Sequence, residues 1–67
     1  MNKKLYTAII FFIPGCNAVP VMKYKKITNI DRFTSFASGK YPGMISSINF
    51  YERESRDFVK QVRIATN

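Results

Sequence analysis

One uncharged segment, LYTAIIFFI at positions 5–13, limits the choice of fold more than any other part of the chain. It is rich in β-branched and aromatic residues and is apolar on both faces of a strand. Such a run is typical of a central β-strand that other elements cover on both sides. It is too short to cross a bilayer as a helix, which takes about 20 apolar residues. We therefore predict a central first strand over 5–13 and no membrane span.

The next segment predicts the second half of a hairpin. Residues 14–18, PGCNA, are of the types that favour turns, and a strand is expected over 19–27. Pro20 near the start of that strand indicates an edge position or a strand end. Regular alternation predicts two faces for this strand. They carry Pro20, Met22, Tyr24 and Lys26 on one side and Val19, Val21, Lys23, Lys25 and Ile27 on the other.

A short helix is predicted over 29–38. Thr28 or Asn29 can cap its first turn, and Asp31 follows Thr28 with the spacing of a capping box. So short a helix is unstable alone in water, so its apolar face must pack on the sheet. That face carries Ile30, Phe33, Phe36 and Ala37. Gly39 and the Tyr-Pro-Gly sequence after it indicate the end of the helix.

The last third of the chain predicts a second hairpin, with strands over 45–52 and 57–65. The charged sequence RESR forms the turn between them. The predicted order of elements is ββαββ. We therefore expect an α+β fold, a small single domain over 1–67 with an antiparallel sheet and one short helix packed on one face.

The length of the chain limits its stability. A chain of 67 residues buries only about 60% of its unfolded surface. Proteins of this size usually add disulfides, a metal or a partner subunit. One cysteine excludes an internal disulfide, and without histidine a zinc site would need carboxylates. We expect no metal and no cofactor, and either a homodimer or a complex with a larger protein.

The charge balance predicts an anionic partner. Eleven lysines and arginines against four acids give a net charge of +7. This excess favours contact with nucleic acid or with an acidic protein surface. The segment before Asp31 contains five lysines and no acid. The first half of the chain is therefore the more cationic.

The sequence KYKK at 23–26 is the strongest candidate for a binding site. Its ammonium groups attract phosphate, and a tyrosine ring among them can stack on a base. The two lysines before the first strand would extend this patch in the hairpin. The predicted binding residues are Lys3, Lys4, Lys23, Tyr24, Lys25 and Lys26. The alternative is a solvated edge strand whose lysines prevent aggregation, with Tyr24 facing the core.

A secondary surface is predicted on the second hairpin. If one sheet face packs on the helix, the other carries Tyr51 and Arg63 beside Asn49 and Gln61. Tyrosine and arginine beside amides are typical of a recognition surface. An ordinary polar cross-strand face is the alternative interpretation.

Residue types suited to catalysis are few. The chain lacks histidine, the commonest general acid–base group near neutral pH, so Cys16 has no imidazole partner. Glu52, Glu54 and Asp57 alternate with arginines, which is typical of a solvated turn. The glycines are too dispersed for a phosphate-binding loop. We predict that the protein is not an enzyme.

The first residues also resemble a bacterial lipoprotein signal. Lys3 and Lys4 precede an apolar stretch, and Gly15 stands before Cys16 in the sequence IPGC. The resemblance implies cleavage before Cys16, lipidation of that cysteine and export. Pro14 departs from the small residue usual there, and cleavage would remove the most apolar segment of a small domain. We expect the segment to remain as a core strand in a cytoplasmic protein, with the exported lipoprotein as the alternative.

The chain as a whole is similar to the small accessory proteins made by phages and mobile elements, because it is very short and basic and lacks catalytic groups. Two functions follow from these features. The first is a nucleic-acid-binding module that uses the lysine and tyrosine patch. The second is a protein-interaction module, such as a small inhibitor or regulator, that docks on an acidic partner. The charge favours the first.

Overall fold

The chain forms a four-stranded antiparallel sheet with one helix on one face, in the order ββαββ. The computed structural model describes residues 4–15 and 18–64. The elements are β1 (Tyr6–Phe12), β2 (Val21–Ile27), α1 (Ile30–Lys40), β3 (Ile45–Glu52) and β4 (Phe58–Arg63). The predicted α+β fold class is confirmed.

The strands lie in the order β2-β1-β3-β4, which places β1 and β3, the two strands that contribute most of the core residues, inside the sheet. β1 pairs with both β2 and β3, as expected of a central strand. β2 is an edge strand, as Pro20 indicated, and β4 is the other edge.

The hydrophobic core lies between the sheet and α1. Strand β1 contributes Ala8 and Ile10, and strand β3 contributes Ile48 and Phe50, all of them fully buried. These residues alternate along their strands, so each strand directs one side of its pleat toward the helix. Phe33 of α1 packs edge-on against the Phe50 ring, with 6.0 Å between the centroids.

Helix α1 begins as the sequence predicts and ends later. The Oδ1 atom of Asn29 accepts a hydrogen bond from the Arg32 backbone N–H at 2.9 Å, so Asn29 is the cap. Gly39 does not end the helix, which continues to Lys40. The reason is tertiary, because the Tyr41 ring that follows packs edge-on against Phe12 at 5.0 Å and holds the last turn on the sheet.

Replacing Asn29 with alanine is expected to destabilise the protein by about 1 kcal/mol, because the first turn of α1 loses an acceptor for an otherwise unpaired backbone N–H. Urea denaturation followed by circular dichroism measures the change. Asn29→Asp retains the acceptor and serves as the control. Equal midpoints for the alanine and aspartate variants would contradict the capping role.

A β-bulge in β2 changes the predicted alternation. Tyr6 pairs with Ile27 and Ala8 pairs with Tyr24, so two residues of β2 lie opposite Thr7 alone. Lys26, within the bulge, has a φ of 63°, in the left-handed region. The extra residue turns Ile27 into the core, where it is buried. The prediction that Ile27 shares a face with the neighbouring lysines is therefore wrong.

The sheet face opposite α1 is called the open face here. From β1 it carries Thr7, Ile9 and Phe11, which are half-buried rather than buried. No element in the described ranges covers these side chains, so the expectation that β1 is covered on both sides is wrong for this face. Within residues 4–15 and 18–64, no helix has the length and apolar character needed to cross a membrane.

Candidate functional site

A shallow depression of about 450 Å³ lies on the open face, and four cations line it. Lys23 and Lys25 come from edge strand β2, whereas Arg53 and Arg56 come from the turn between β3 and β4. All four side chains are exposed. We call this feature the basic depression. Its cations come from distant parts of the chain, and the sheet order brings them together.

The floor of the basic depression is formed by the two central strands. Thr7 and Ile9 of β1 and Tyr51 of β3 line it. Thr7 pairs directly with Tyr51 in the β1–β3 ladder, and Ile9 pairs with Lys23 in the β1–β2 ladder. The four cations therefore surround a floor that includes the aromatic ring of Tyr51 and the aliphatic side chain of Ile9.

Among the described residues that line the basic depression, Glu52 is the one acid. Its carboxylate forms an ion pair with Lys4, with 3.5 Å between Oε2 and Nζ, and accepts a hydrogen bond from the Ser55 hydroxyl at 3.1 Å. The carboxylate already has partners, so it offsets little of the charge of the cations. The depression is an electropositive surface.

Backbone hydrogen bonds hold the arginine-bearing turn against the sheet. The Arg53 N–H donates to the Leu5 carbonyl at 2.9 Å, and the Arg56 N–H donates to the Glu52 carbonyl at 2.7 Å. Arg56 has a φ of 65°. Glycine adopts this left-handed conformation at lower cost, and side chains kept at such positions often have a functional role. The turn thus presents its two guanidinium groups from a fixed backbone.

Tyr24 does not lie in the basic depression. It extends to the helix side, where its ring packs edge-on against Phe33 at 5.2 Å. Its hydroxyl is hydrogen-bonded to that of Tyr41 at 3.4 Å, and Tyr41 in turn donates to the Met22 sulfur at 3.3 Å. The hydrogen bond to Tyr41, with burial and the charge of Tyr41, raises the pKa of Tyr24 above its ordinary value. Strand alternation thus separates this tyrosine from the lysines on either side of it.

The remaining residues of the predicted lysine patch are distributed elsewhere. Lys4 lines a second depression of about 490 Å³, together with Arg32 of α1. Lys26 is exposed at the bulge. Lys3 and Cys16 lie outside the described residues. The predicted alternative of cleavage before Cys16 therefore also falls outside the described part of the chain.

The predicted secondary surface lies on the open face, and its two residues are apart from each other. Tyr51 belongs to the floor of the basic depression. Arg63 pairs with Ser47, which is paired with Phe11 near the other end of β1. Arg63 therefore extends the cationic character of the open face beyond the depression.

Sequence reasoning missed Arg53 and Arg56 as site residues, because an alternating charged turn is typical of a solvated hairpin tip. The signal that could have identified them is their position immediately after β3. Once β3 is paired with β1 in antiparallel order, the end of β3 meets the start of β1, on the same side as Lys25. That pairing depends on long-range contacts, which local patterns do not contain.

Within residues 4–15 and 18–64, no group of three or more His, Cys, Asp or Glu side chains lies close enough together to hold a metal ion. The comparisons with known proteins are negative. No protein-family model, no curated protein and no solved structure matches the chain.

Proposed function

We propose that the protein is a non-enzymatic, cytoplasmic module that binds nucleic acid through the basic depression. The observation that supports this most directly is the convergence of Lys23, Lys25, Arg53 and Arg56 on one open surface. A nucleic-acid phosphate backbone is a linear polyanion, and it binds surfaces on which several cations are spaced apart. Among the described residues that line the depression, the one carboxylate, that of Glu52, has a partner in Lys4.

The rigidity of the surroundings supports the same function. Lys23 pairs with Ile9 of β1, Lys25 lies in the bulge that the pairs Ala8–Tyr24 and Tyr6–Ile27 enclose, and backbone hydrogen bonds join the arginine turn to Leu5 and Glu52. Cations on fixed elements lose less conformational freedom on binding than cations on a mobile loop. This arrangement indicates that the cations of the basic depression bind an extended anion rather than serve only to keep the protein soluble.

Affinity for nucleic acid is expected to fall steeply with salt. Four phosphate contacts predict a log–log slope of about −3 for a single strand and about −4 for a duplex, because each contact releases counterions. Between about 50 mM and about 200 mM salt, affinity should fall by about 50-fold to 150-fold. Fluorescence anisotropy with a labelled oligonucleotide measures it. Absence of binding even at about 20 mM salt would overturn the proposed function.

A second candidate function, a protein-interaction module, is favoured by the outer edge of β4. Phe58 and Val59 are 56% and 40% exposed there, beside Lys60. An extended acidic segment of a partner could add to such an edge as a further strand. Pull-down from nuclease-treated extract distinguishes the two functions, since a retained protein favours the second. The homodimer and the role as a phage-like accessory protein stay predictions.

A further inference from the structure

Two aromatic rings lie side by side on the open face next to the basic depression. Phe58 of β4 pairs with Tyr51 of β3, and their rings meet edge to face with 5.6 Å between the centroids at 72°. Phe58 is 56% exposed. A large aromatic side chain so exposed on a sheet face gains little from folding, so it is available for a ligand.

A chain of polar contacts holds the Tyr51 ring in place. The Asn49 side-chain amide donates to the Tyr51 hydroxyl at 3.3 Å, and the Gln61 amide donates to Asn49 Oδ1 at 2.8 Å. These contacts link β3 to β4 across the open face. The ring is therefore oriented before any ligand arrives, which reduces the entropy lost on binding.

Aromatic rings and cations on one exposed surface suit unpaired bases. In a duplex the bases are stacked and paired inside, so a ring on a sheet surface cannot stack on them, whereas single-stranded bases present their faces. The charges on α1 are mixed, since Asp31 accompanies Arg32 and Lys40. Cations and rings occur together on the open face.

We propose that the ligand is a single-stranded nucleic acid whose bases stack on Tyr51 and Phe58 while its phosphates contact the cations of the basic depression. The strand would run across the sheet from β2 toward β4, over about 14 Å at the usual spacing of neighbouring strands. This inference rests on the proposed function and adds the form of the nucleic acid.

The test compares a labelled single strand of about 12 nucleotides, a length that modules of this kind cover, with the same sequence annealed as a duplex. The single strand is expected to bind at least about tenfold more tightly. The chain contains no tryptophan, so Phe58→Trp introduces a unique fluorophore. Its fluorescence should be quenched by the unlabelled single strand and not by the duplex.

Removal of the rings tests the stacking directly. Tyr51→Leu and Phe58→Leu are each expected to weaken single-strand binding by about tenfold, with the salt slope unchanged because the phosphate contacts remain. Tyr51→Phe should retain most of the affinity. Phe36→Leu, which removes an exposed ring from the helix side, is the matched control and should bind as the wild type. Circular dichroism shows that each variant is folded.

Equal affinity for single strand and duplex, with the leucine variants unchanged, would overturn this inference and leave the proposed function in place. Loss of binding to both forms at low salt would overturn the proposed function itself. The two failures are therefore distinguishable.

Discussion

Replacement of Phe50 by alanine is expected to leave the protein unfolded at room temperature. Phe50 is fully buried at the centre of the core, where its ring meets that of Phe33. Truncating a buried phenylalanine costs about 3–5 kcal/mol, through lost apolar burial and the cavity left behind. A core of this size rarely supplies more than about 3–5 kcal/mol of stability. Far-UV circular dichroism and urea denaturation of the purified variant measure the loss.

Two further variants make the Phe50 result specific. Phe50→Leu conserves most of the volume and should lower stability by less than about 1.5 kcal/mol, which leaves a measurable transition. Phe36→Ala also removes a phenyl ring, but from a side chain of α1 that is 49% exposed. Its cost should be about 1 kcal/mol or less, since little apolar surface returns to water. Comparable losses for Phe36→Ala and Phe50→Ala would contradict the assignment of the core to one face of the sheet.

Reversal of the two lysines on the open face is expected to abolish nucleic-acid binding at moderate salt. In the double variant Lys23→Glu/Lys25→Glu, two phosphate contacts are lost, and the new carboxylates stand beside Arg53 and Arg56. Loss of two contacts alone predicts a fall of about a hundredfold at about 50 mM salt, and like-charge repulsion adds to it. Anisotropy titration against the single-stranded oligonucleotide measures the change.

The matched control has the same net charge as that variant, but its substitutions lie away from the basic depression. Arg32→Glu/Lys60→Glu also replaces two cations by two acids, so both variants have a net charge of +3, four less than the +7 of the chain. Arg32 lies in the first turn of α1, where an acid is favourable. Lys60 pairs with Phe50, on the helix side. The control should retain most of the affinity, and an equal loss in both variants would mean that overall charge, rather than the basic depression, determines binding.

Local sequence patterns predicted each element of the fold because each depends on neighbouring residues. The strand predicted over 45–52 is β3, Ile45–Glu52, and the helix begins after the cap at Asn29. The apolar run at 5–13 contains β1, and its length and β-branched content favour an inner strand. The helix end was less predictable, because packing of Tyr41 outweighs the low helix propensity of glycine.

The candidate site was predictable only in part. Lys23 and Lys25 share a face by alternation, as predicted, and the same alternation removes Tyr24 to the helix side. The bulge at Lys26 breaks the alternation before Ile27, and no residue type in KYKKI indicates it. Its cause is the pairing of Ile27 with Tyr6, where burial of Ile27 offsets a left-handed backbone at Lys26.

The sequence by itself determined the elements, their order and the excess of positive charge, because backbone preferences, side-chain alternation and ionisation are local properties. Only the tertiary structure decided which cations meet. Antiparallel pairing of β1 with β3 brings the Arg53–Arg56 turn to the start of β1, and pairing of β1 with β2 brings Lys25 to the same end. Burial of one face of β1 and of β3 under α1 drives that pairing. The other faces of the two strands form the open face, where Tyr51 lines the basic depression together with the two lysines and the two arginines.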